Sequence, residues 1–424
     1  MFLELMYTFD FMSLIYHIII GLAILIASPF VVLRMVFDSG FRLDLLMRFD
    51  GCKALEPLTD CLWIHAASVG EVRMAKILIS ALKIKGETRP IVLSTFTQTG
   101  FEQARKEGLE SVFRMPPDFP LWLNPIFDHL CPSLLILIEA EMWPSLLRAC
   151  KCRNIPVLLA NGRITQGSTE RYKSLHFVFN WIAGNVSFFS MRTQKDADRL
   201  LSLGVDPEKV SVDGNIKFDT LISTANVTPG IEKESSWVVF GSTRPGDEGP
   251  AMEAIIRLHE EYAKLNFIIA PRHIERLREV KELIKNYGMR FLLHSEYLDS
   301  SDSRLILLDC LGELNGYYAK ACLAFVGGGF NPRFGGQNII EPASYGLPVV
   351  FGKYMNNFEE EARLLVESGG GVQINNPGEL YDTLNKLLAD RNERQHRGDK
   401  ARETVFKNRG AVEKTIELIN RLAN

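Results

Sequence analysis

The chain lacks a basic excess: 48 Lys and Arg stand against 51 Asp and Glu, a formal net charge of −3. That balance argues against a nucleic-acid binder, which carries a positive footprint. Cysteine is sparse. The seven residues Cys52, Cys61, Cys131, Cys150, Cys152, Cys310 and Cys322 follow no regular spacing, so no disulfide framework is suggested. Cys150 and Cys152 have no second Cys or His pair near them in sequence and read as a helix end, not half of a metal site. No G-x-G-x-x-G followed by a strand and an acid occurs, which weakens a nicotinamide-enzyme reading. Low-complexity tracts and short-period repeats are missing too. Finally, no Lys or Arg precedes Arg34.

What is present begins with that same segment. Residues 12–37 read MSLIYHIIIGLAILIASPFVVLRMVF, and about 20 apolar residues suffice to cross a hydrocarbon core as a helix. Glu4 and Asp10 stand where a signal peptide would carry a basic stretch, and no small-residue cleavage site closes the run. A membrane anchor over 1–36 is expected, with Pro29 marking a kink or the interface. Arg34, Arg42, Arg48 and Lys53 all follow the run, which puts the body on the cytoplasmic side.

The remaining length is too great for one core. Short apolar runs alternate with helical patterns at βαβ spacing. Leu62–His65, Ile91–Ser94, Leu134–Ile138, Val157–Ala160 and Phe188–Ser190 read as strands of one unit. A linker at 224–230 precedes a second series: Val238–Phe240, Phe267–Ile269, Leu305–Leu307, Leu323–Val326, Val349–Phe351 and Val372–Ile374. The expected fold class is therefore α/β, with two Rossmann-like, doubly wound domains at 37–223 and 231–424. Its charged tail from Pro377 onward is helical.

Ligands of such sheets bind beyond the carboxyl ends of strands, and five post-strand segments stand out. In HAASVGE, small residues and a helix start precede Glu71, which could complement the helix dipole or do chemistry. In IEAEMWP, Glu139 and Glu141 directly follow an apolar strand, where carboxylates are costly to bury without partners. GNIKFD carries Lys217. GSTR and APRH place Arg244 and Arg272 at strand ends, where a guanidinium pairs with phosphate or carboxylate oxygens. The densest run is GGGFNPRFGGQNIIEP, with Asn338 before a helix and Glu341 suited to accept hydrogen bonds from a ribose. Asp196 and Asp198 resemble a D-x-D metal motif but lie at a helix start and read as capping.

Together with STFTQTG, NGRIT and YMNNFEE, these segments behind an apolar N-terminus resemble the 3-deoxy-D-manno-octulosonic acid (Kdo) transferases of lipopolysaccharide assembly. The resemblance runs from the anchor to about Gly371. It implies a GT-B fold with the active site in the cleft, CMP-Kdo as donor and a lipid A precursor (lipid IVA) as acceptor. It further implies inverting transfer at the inner membrane, with no metal or other cofactor and no nucleic acid. Carried over by position, Glu71 is the general base, and Glu139 and Lys217 stabilise the transition state. CMP would meet Pro271, Arg272, Leu311, Gly312, Glu313, Asn338, Ile339, Ile340 and Glu341. Gln337 departs from the family, which usually has His there. Two alternatives stay open at this stage: a transferase of the same fold using a UDP- or GDP-sugar, and a non-catalytic nucleotide-binding module.

Overall fold

Strands buried on both faces read as continuous apolar runs, and such runs dominate both halves of the chain. In a computed structural model, which describes residues 11–219, 237–297 and 304–423, they assemble into two parallel sheets of seven strands. The first contains β1 (Cys61–His65), β2 (Ile91–Thr95), β3 (Val112–Arg114), β4 (Pro132–Ile138), β5 (Val157–Gly162), β6 (Phe188–Met191) and β7 (Val210–Val212). Their spatial order is β3-β2-β1-β4-β5-β6-β7. The second contains β8 (Trp237–Thr243), β9 (Asn266–Pro271), β10 (Leu292–Leu293), β11 (Leu305–Leu307), β12 (Ala321–Val326), β13 (Val349–Gly352) and β14 (Gly371–Ile374). Here the order is β10-β11-β9-β8-β12-β13-β14. Chain direction across each sheet reverses once, between β1 and β4 and between β8 and β12. A crevice for a ligand opens at such points.

Alternation along each strand sends neighbouring side chains to opposite faces. On the first sheet, Trp63, Leu135 and Leu137 enter one core and Leu62, Ile64, Ile136 and Ile138 the other. Trp63 is fully buried, and its indole Nε1 donates to Ser94 Oγ at 2.8 Å. The strands expected from the sequence all form. The short strands β3, β7 and β10 were not anticipated. The linker expected at 224–230 lies outside the described residues.

Helix α1 (Phe11–Phe37) runs unbroken through Pro29. Proline removes the donor that would serve the carbonyl four residues back. Ser28 Oγ donates to that carbonyl, Leu25 O, at 2.8 Å, so no break follows. The start of α1 is tied to the body: Tyr16 Oη donates to Asp118 Oδ2 at 2.8 Å, and His17 Nε2 lies 3.1 Å from Ser145 Oγ. Beyond them the helix leaves Leu25, Phe30 and Phe37 exposed. The most apolar 18-residue window has mean hydropathy 2.4, and none of it is buried. α2 (Ser39–Asp50) follows. Its Asp44 pairs with Arg48 at 3.0 Å and with the buried Arg114 of β3 at 2.6 Å.

The chain divides into one unit of Met1–Asp219 plus Arg409–Asn424 and another of Thr220–Asn408. This departs from the expected 231–424 boundary, because the last helix, Ala411–Leu422, returns to the first sheet. Its Ile416 and Ile419 enter the core with Leu158 and Ile216. Asp219 fixes the return by accepting from Gly410 N at 2.7 Å and Val412 N at 2.8 Å. Replacing Asp219 by Ala leaves both amides without their acceptor, so the first unit should lose about 1–3 kcal/mol of stability. Urea denaturation of the full chain checks this, and Asp219→Asn should fall between the variant and the parent.

Candidate active site

The motif after β1 turns at once into helix α3 (Val69–Ile84). Ser68 is its N-cap, and Glu71 three residues on completes a box-like pairing. Glu71 Oε1 accepts from Ser68 Oγ at 2.7 Å, and Oε2 accepts from Ala67 N at 2.7 Å. The side chain is thereby locked and largely buried, with 7% of the residue exposed. Burial pushes its pKa up to about 7. The bonds from Ser68 and Ala67 oppose that rise, while Glu141 and Glu139 add to it. A helix start alone would depress the pKa, as the sequence position suggests. Desolvation wins, because the pairing that caps the helix also draws the carboxylate out of water.

β4 is the strand next to β1 across the reversal, with Leu137 paired to His65. Glu139, just past its end, adopts φ 65°. A non-glycine residue in that left-handed region stores on the order of 1–3 kcal/mol of strain, a feature that clusters at functional sites. Glu139 and Glu141 are half-buried, so of the three acids it is Glu71 that carries the burial. Trp143 Nε1 donates to Glu141 Oε2 at 2.8 Å. Behind it, His65 is fully buried, with its ring 5.2 Å from that of Trp143 and Nδ1 2.8 Å from Ser94 Oγ. Burial lowers the His65 pKa to about 4, so this imidazole is neutral near pH 7 and a poor rival to Glu71 as a base.

Lys217 sits in a short turn, Ile216–Asp219, that packs against α3. Asn161, itself at φ 56°, accepts from Ile216 N at 2.9 Å, and Asn215 accepts from Lys217 N at 3.1 Å. These bonds fix the backbone that carries the lysine. Asp196 accepts from Thr193 Oγ1 and from Ile164 N at 2.9 Å, the capping role expected of it. Among the described residues no group of His, Cys, Asp and Glu has the arrangement of a metal site.

In the second unit the loops after β8 and β12 meet at the other reversal. Ser242 adopts φ 53°, and the buried Thr243 Oγ1 has no hydrogen-bond partner. Asp247 Oδ2 accepts from both Arg244 N and Gly328 N, each at 2.7 Å. One carboxylate oxygen therefore joins the two lips, and Gly327 must be glycine because a Cβ would lie 2.6 Å from that oxygen. Burial raises the Asp247 pKa to about 6. Its neighbour Glu248 pairs with Arg276 at 2.6 Å, tethering the loop after β9. On that loop, Arg272 N donates to Thr243 O at 3.0 Å, and Pro271 ends β9. Arg244 Nη1 approaches His273 Nε2 at 2.5 Å.

Leu311, Gly312 and Glu313 lie beyond β11, with Leu311 exposed and Gly312 at φ 95°. Asn338 caps the turn into Ile340–Ser344: its Oδ1 accepts from Ile340 N at 3.0 Å and its Nδ2 donates to Glu341 Oε1 at 3.0 Å. Ile339 and Ile340 are fully buried, so only backbone groups of these two could serve a ligand. Gln337 is buried against Gly328. The structure thus brings Glu71, Glu139 and Glu141 together at one reversal and Arg244, Arg272 and the glycine loop at the other. Sequence reasoning missed Asp247, since an acid just before a helix reads as an ordinary cap. The G-D-E run behind a post-strand arginine was the available signal.

Residues 44–220 match the sequence profile described as 3-deoxy-D-manno-octulosonic-acid transferase. The 3-deoxy-D-manno-octulosonic acid transferase of Haemophilus influenzae is 31% identical over 369 residues, covering 84% of this chain and 86% of its own. That of Bordetella pertussis is 29% identical over 389 residues, covering 87% and 89%. Among solved structures, UDP-GlcNAc 2-epimerase from Neisseria meningitidis superposes with TM-score 0.56 at 14% identity, covering 85% of this chain and all of that one. MurG of Acinetobacter baumannii gives 0.54 at 11%, covering 86% and 99%. These likenesses show the two-domain GT-B type of fold, and an epimerase among them cautions against reading a reaction from fold alone.

Two measurements probe this geometry. Carbon-13 NMR of the glutamate carboxyls should find one titrating near pH 7 that is lost in Glu71→Gln. Ser68→Ala, which removes a bond to the ionised form, should move it higher. In hydrogen exchange, Asp247→Ala should speed the Arg244 and Gly328 amides by about ten-fold or more, the loss of a charge-assisted bond. Asp247→Asn, which keeps an oxygen in place, should retain protection; equal exchange in all three proteins would dismiss Asp247 as the clamp.

Proposed function

Since the chain belongs to the 3-deoxy-D-manno-octulosonic acid transferase family and is thus a glycosyltransferase, we propose that it moves Kdo from CMP-Kdo onto lipid IVA, a lipid A precursor, by inverting, metal-independent transfer. The observation that carries this reading is Glu71: a buried carboxylate with its pKa raised to about 7, held by two hydrogen bonds beside two further acids. A general base works best when its pKa lies near the operating pH.

In the proposed step an acceptor hydroxyl attacks the anomeric carbon of Kdo. The bond from that carbon to the phosphate oxygen breaks, CMP leaves, and the hydroxyl proton passes to Glu71. A single displacement of this kind inverts the centre. Positive charge develops on the sugar as the leaving group departs, and the carboxylate of Glu139, held in its strained turn, stabilises it. Lys217 is the proposed counter-charge that stabilises the transition state, the role a metal plays elsewhere, and Arg272 is a proposed contact of CMP. Backbone amides of the Asn338–Glu341 segment and the Leu311–Glu313 loop, together with Pro271, are the proposed contacts for CMP.

Membrane attachment is proposed through α1, at the inner membrane with the body on the cytoplasmic side, because Arg34, Arg42, Arg48 and Lys53 all follow the apolar run. Tyr16 and His17 hold the start of α1 on the first unit. Its lipid-facing surface is therefore the free face from Ile18 to Phe37 rather than the full length of the helix.

The test is transfer itself. The full chain, given CMP-Kdo and tetra-acylated lipid A precursor in detergent with excess EDTA, should yield a product heavier by Kdo in mass spectrometry. Because Glu71 must be ionised to act, kcat/KM should rise with pH through about 7 and level off above it. Glu71→Gln should lower the rate by about 10²–10⁴-fold and leave CMP affinity unchanged. No transfer with CMP-Kdo, or transfer only after Mg²⁺ is added, would refute the corresponding part.

A further inference from the structure

The loop that carries Glu139 and Glu141 runs straight into a helix, Pro144–Cys152, whose N-cap is Trp143. A cap residue normally accepts a hydrogen bond from one of the first free amides of its helix. Trp143 has no side-chain acceptor, and its indole N–H is taken by Glu141. Asp118, from the loop that follows β3, supplies the cap instead. Its Oδ2 accepts from Ser145 N and its Oδ1 from Leu146 N, each at 2.9 Å. A carboxylate at a helix start is also favoured by the dipole.

That borrowed cap is itself held by α1. Tyr16 Oη donates at 2.8 Å to the same Oδ2 that serves Ser145 N. Ser145 Oγ donates to Asp118 O at 3.0 Å, so in its 3.1 Å contact with His17 Nε2 the imidazole is the donor. Rings close the joint around these bonds: His17 meets Phe119 at 5.8 Å and Tyr16 meets Trp181 at 6.2 Å. α2 grips the same loop from its other end, with Arg48 Nη1 donating to Met115 O at 3.1 Å. A continuous chain of bonds thus runs from Tyr16 through Asp118 to the first turn of the helix, and from its cap Trp143 to Glu141. Between Glu139 and Pro144 the backbone closes two tight turns, Met142 N to Ala140 O at 2.8 Å and Trp143 N to Glu141 O at 3.1 Å. A shift of the helix start therefore moves the acids with it.

We propose that Asp118 is a positioning residue for the transfer, and that Tyr16 and His17 make the docked start of α1 part of the active site: while α1 is seated on Asp118 and Ser145, Trp143 and Glu141 are held within electrostatic reach of Glu71. This rests on the reading of Glu71 as the base given above. Glu71 is faced by Glu139 and Glu141 from the loop after β4, and the turn that carries Lys217 packs on its helix. Glu141 adds to the rise in the Glu71 pKa, so releasing the loop lets that pKa fall. The seating also gives Tyr16 and His17 a purpose, since a helix serving only as an anchor has no need of either.

The test uses the full chain in mixed micelles and compares Tyr16→Phe, Asp118→Ala and Asp118→Asn with the parent. Transfer from CMP-Kdo is followed with acylated and with deacylated acceptor, and Glu71 is followed by carbon-13 NMR of the carboxyls. Asp118→Ala should lower kcat by about ten-fold or more with both acceptors and leave KM for CMP-Kdo unchanged. The Glu71 midpoint, and with it the rising limb of kcat/KM, should move down by about half a pH unit. Tyr16→Phe should shift both in the same direction by less, and Asp118→Asn, which keeps an oxygen for one amide, should fall between Asp118→Ala and the parent. Parent-like values in Asp118→Ala overturn the whole proposal, and parent-like values in Tyr16→Phe overturn the part played by α1. A defect confined to the acylated acceptor also overturns it, because α1 would then only anchor. Should Asp118→Ala fail to fold, Tyr16→Phe and Asp118→Asn decide. If the parent uses neither acceptor, the proposed function falls, while the Glu71 midpoints of the variants still decide the relay.

Discussion

A parallel sheet covered on both faces leaves polar chemistry only one place to go, the ends of its strands. The placement of the candidate site residues follows from that constraint. Trp63, Ile64, Leu135 and Ile136 are fully buried, so the centre of the first sheet can carry no ionised group without a heavy desolvation cost. The acids therefore stand just past β1 and β4, where the reversal of chain direction opens a gap. Glu71 is drawn partly back under cover by its own helix cap, which is what tunes it.

The two reversals solve opposite problems with related parts. In the first unit three carboxylates gather, and burial of Glu71, with a smaller push from Glu141 and Glu139, raises its pKa to about 7. The second unit turns its acids to structural use instead. Asp247 and Glu248 face backbone amides and Arg276, while Arg272 stands just past the end of β9. One site suits removal of a proton and the other suits reception of an anion.

Much of this was legible in the sequence. Long apolar runs between glycine and proline marked the strands, and the post-strand motifs marked the ligand edges, because both signals are local. The strands that escaped, β3, β7 and β10, are two or three residues long and lie at or next to a sheet edge, too short for any periodicity to register. The strained turn at Glu139 left no trace, since nothing in a glutamate announces a positive φ. For Glu71 the position was visible and the pKa was not: the dipole is a local property, whereas burial depends on residues brought from β4 and its loop. The amphipathic pattern of 411–422 declared a helix but not its partner, which lies some two hundred residues earlier in the chain.

That partnership alters what it means for the chain to be finished. The second unit is an insertion between Asp219 and the helix that completes the first, so the first core stays open along Leu158 and Ile216 until residues 411–422 have left the ribosome. A protein synthesised from its N-terminus exposes its apolar helix α1 long before it closes the adjoining core. During that interval the nascent chain offers both an exposed apolar helix and an uncovered hydrophobic groove. Lesions in codons 411–422 accordingly strike the core whose strands were translated some two hundred residues earlier.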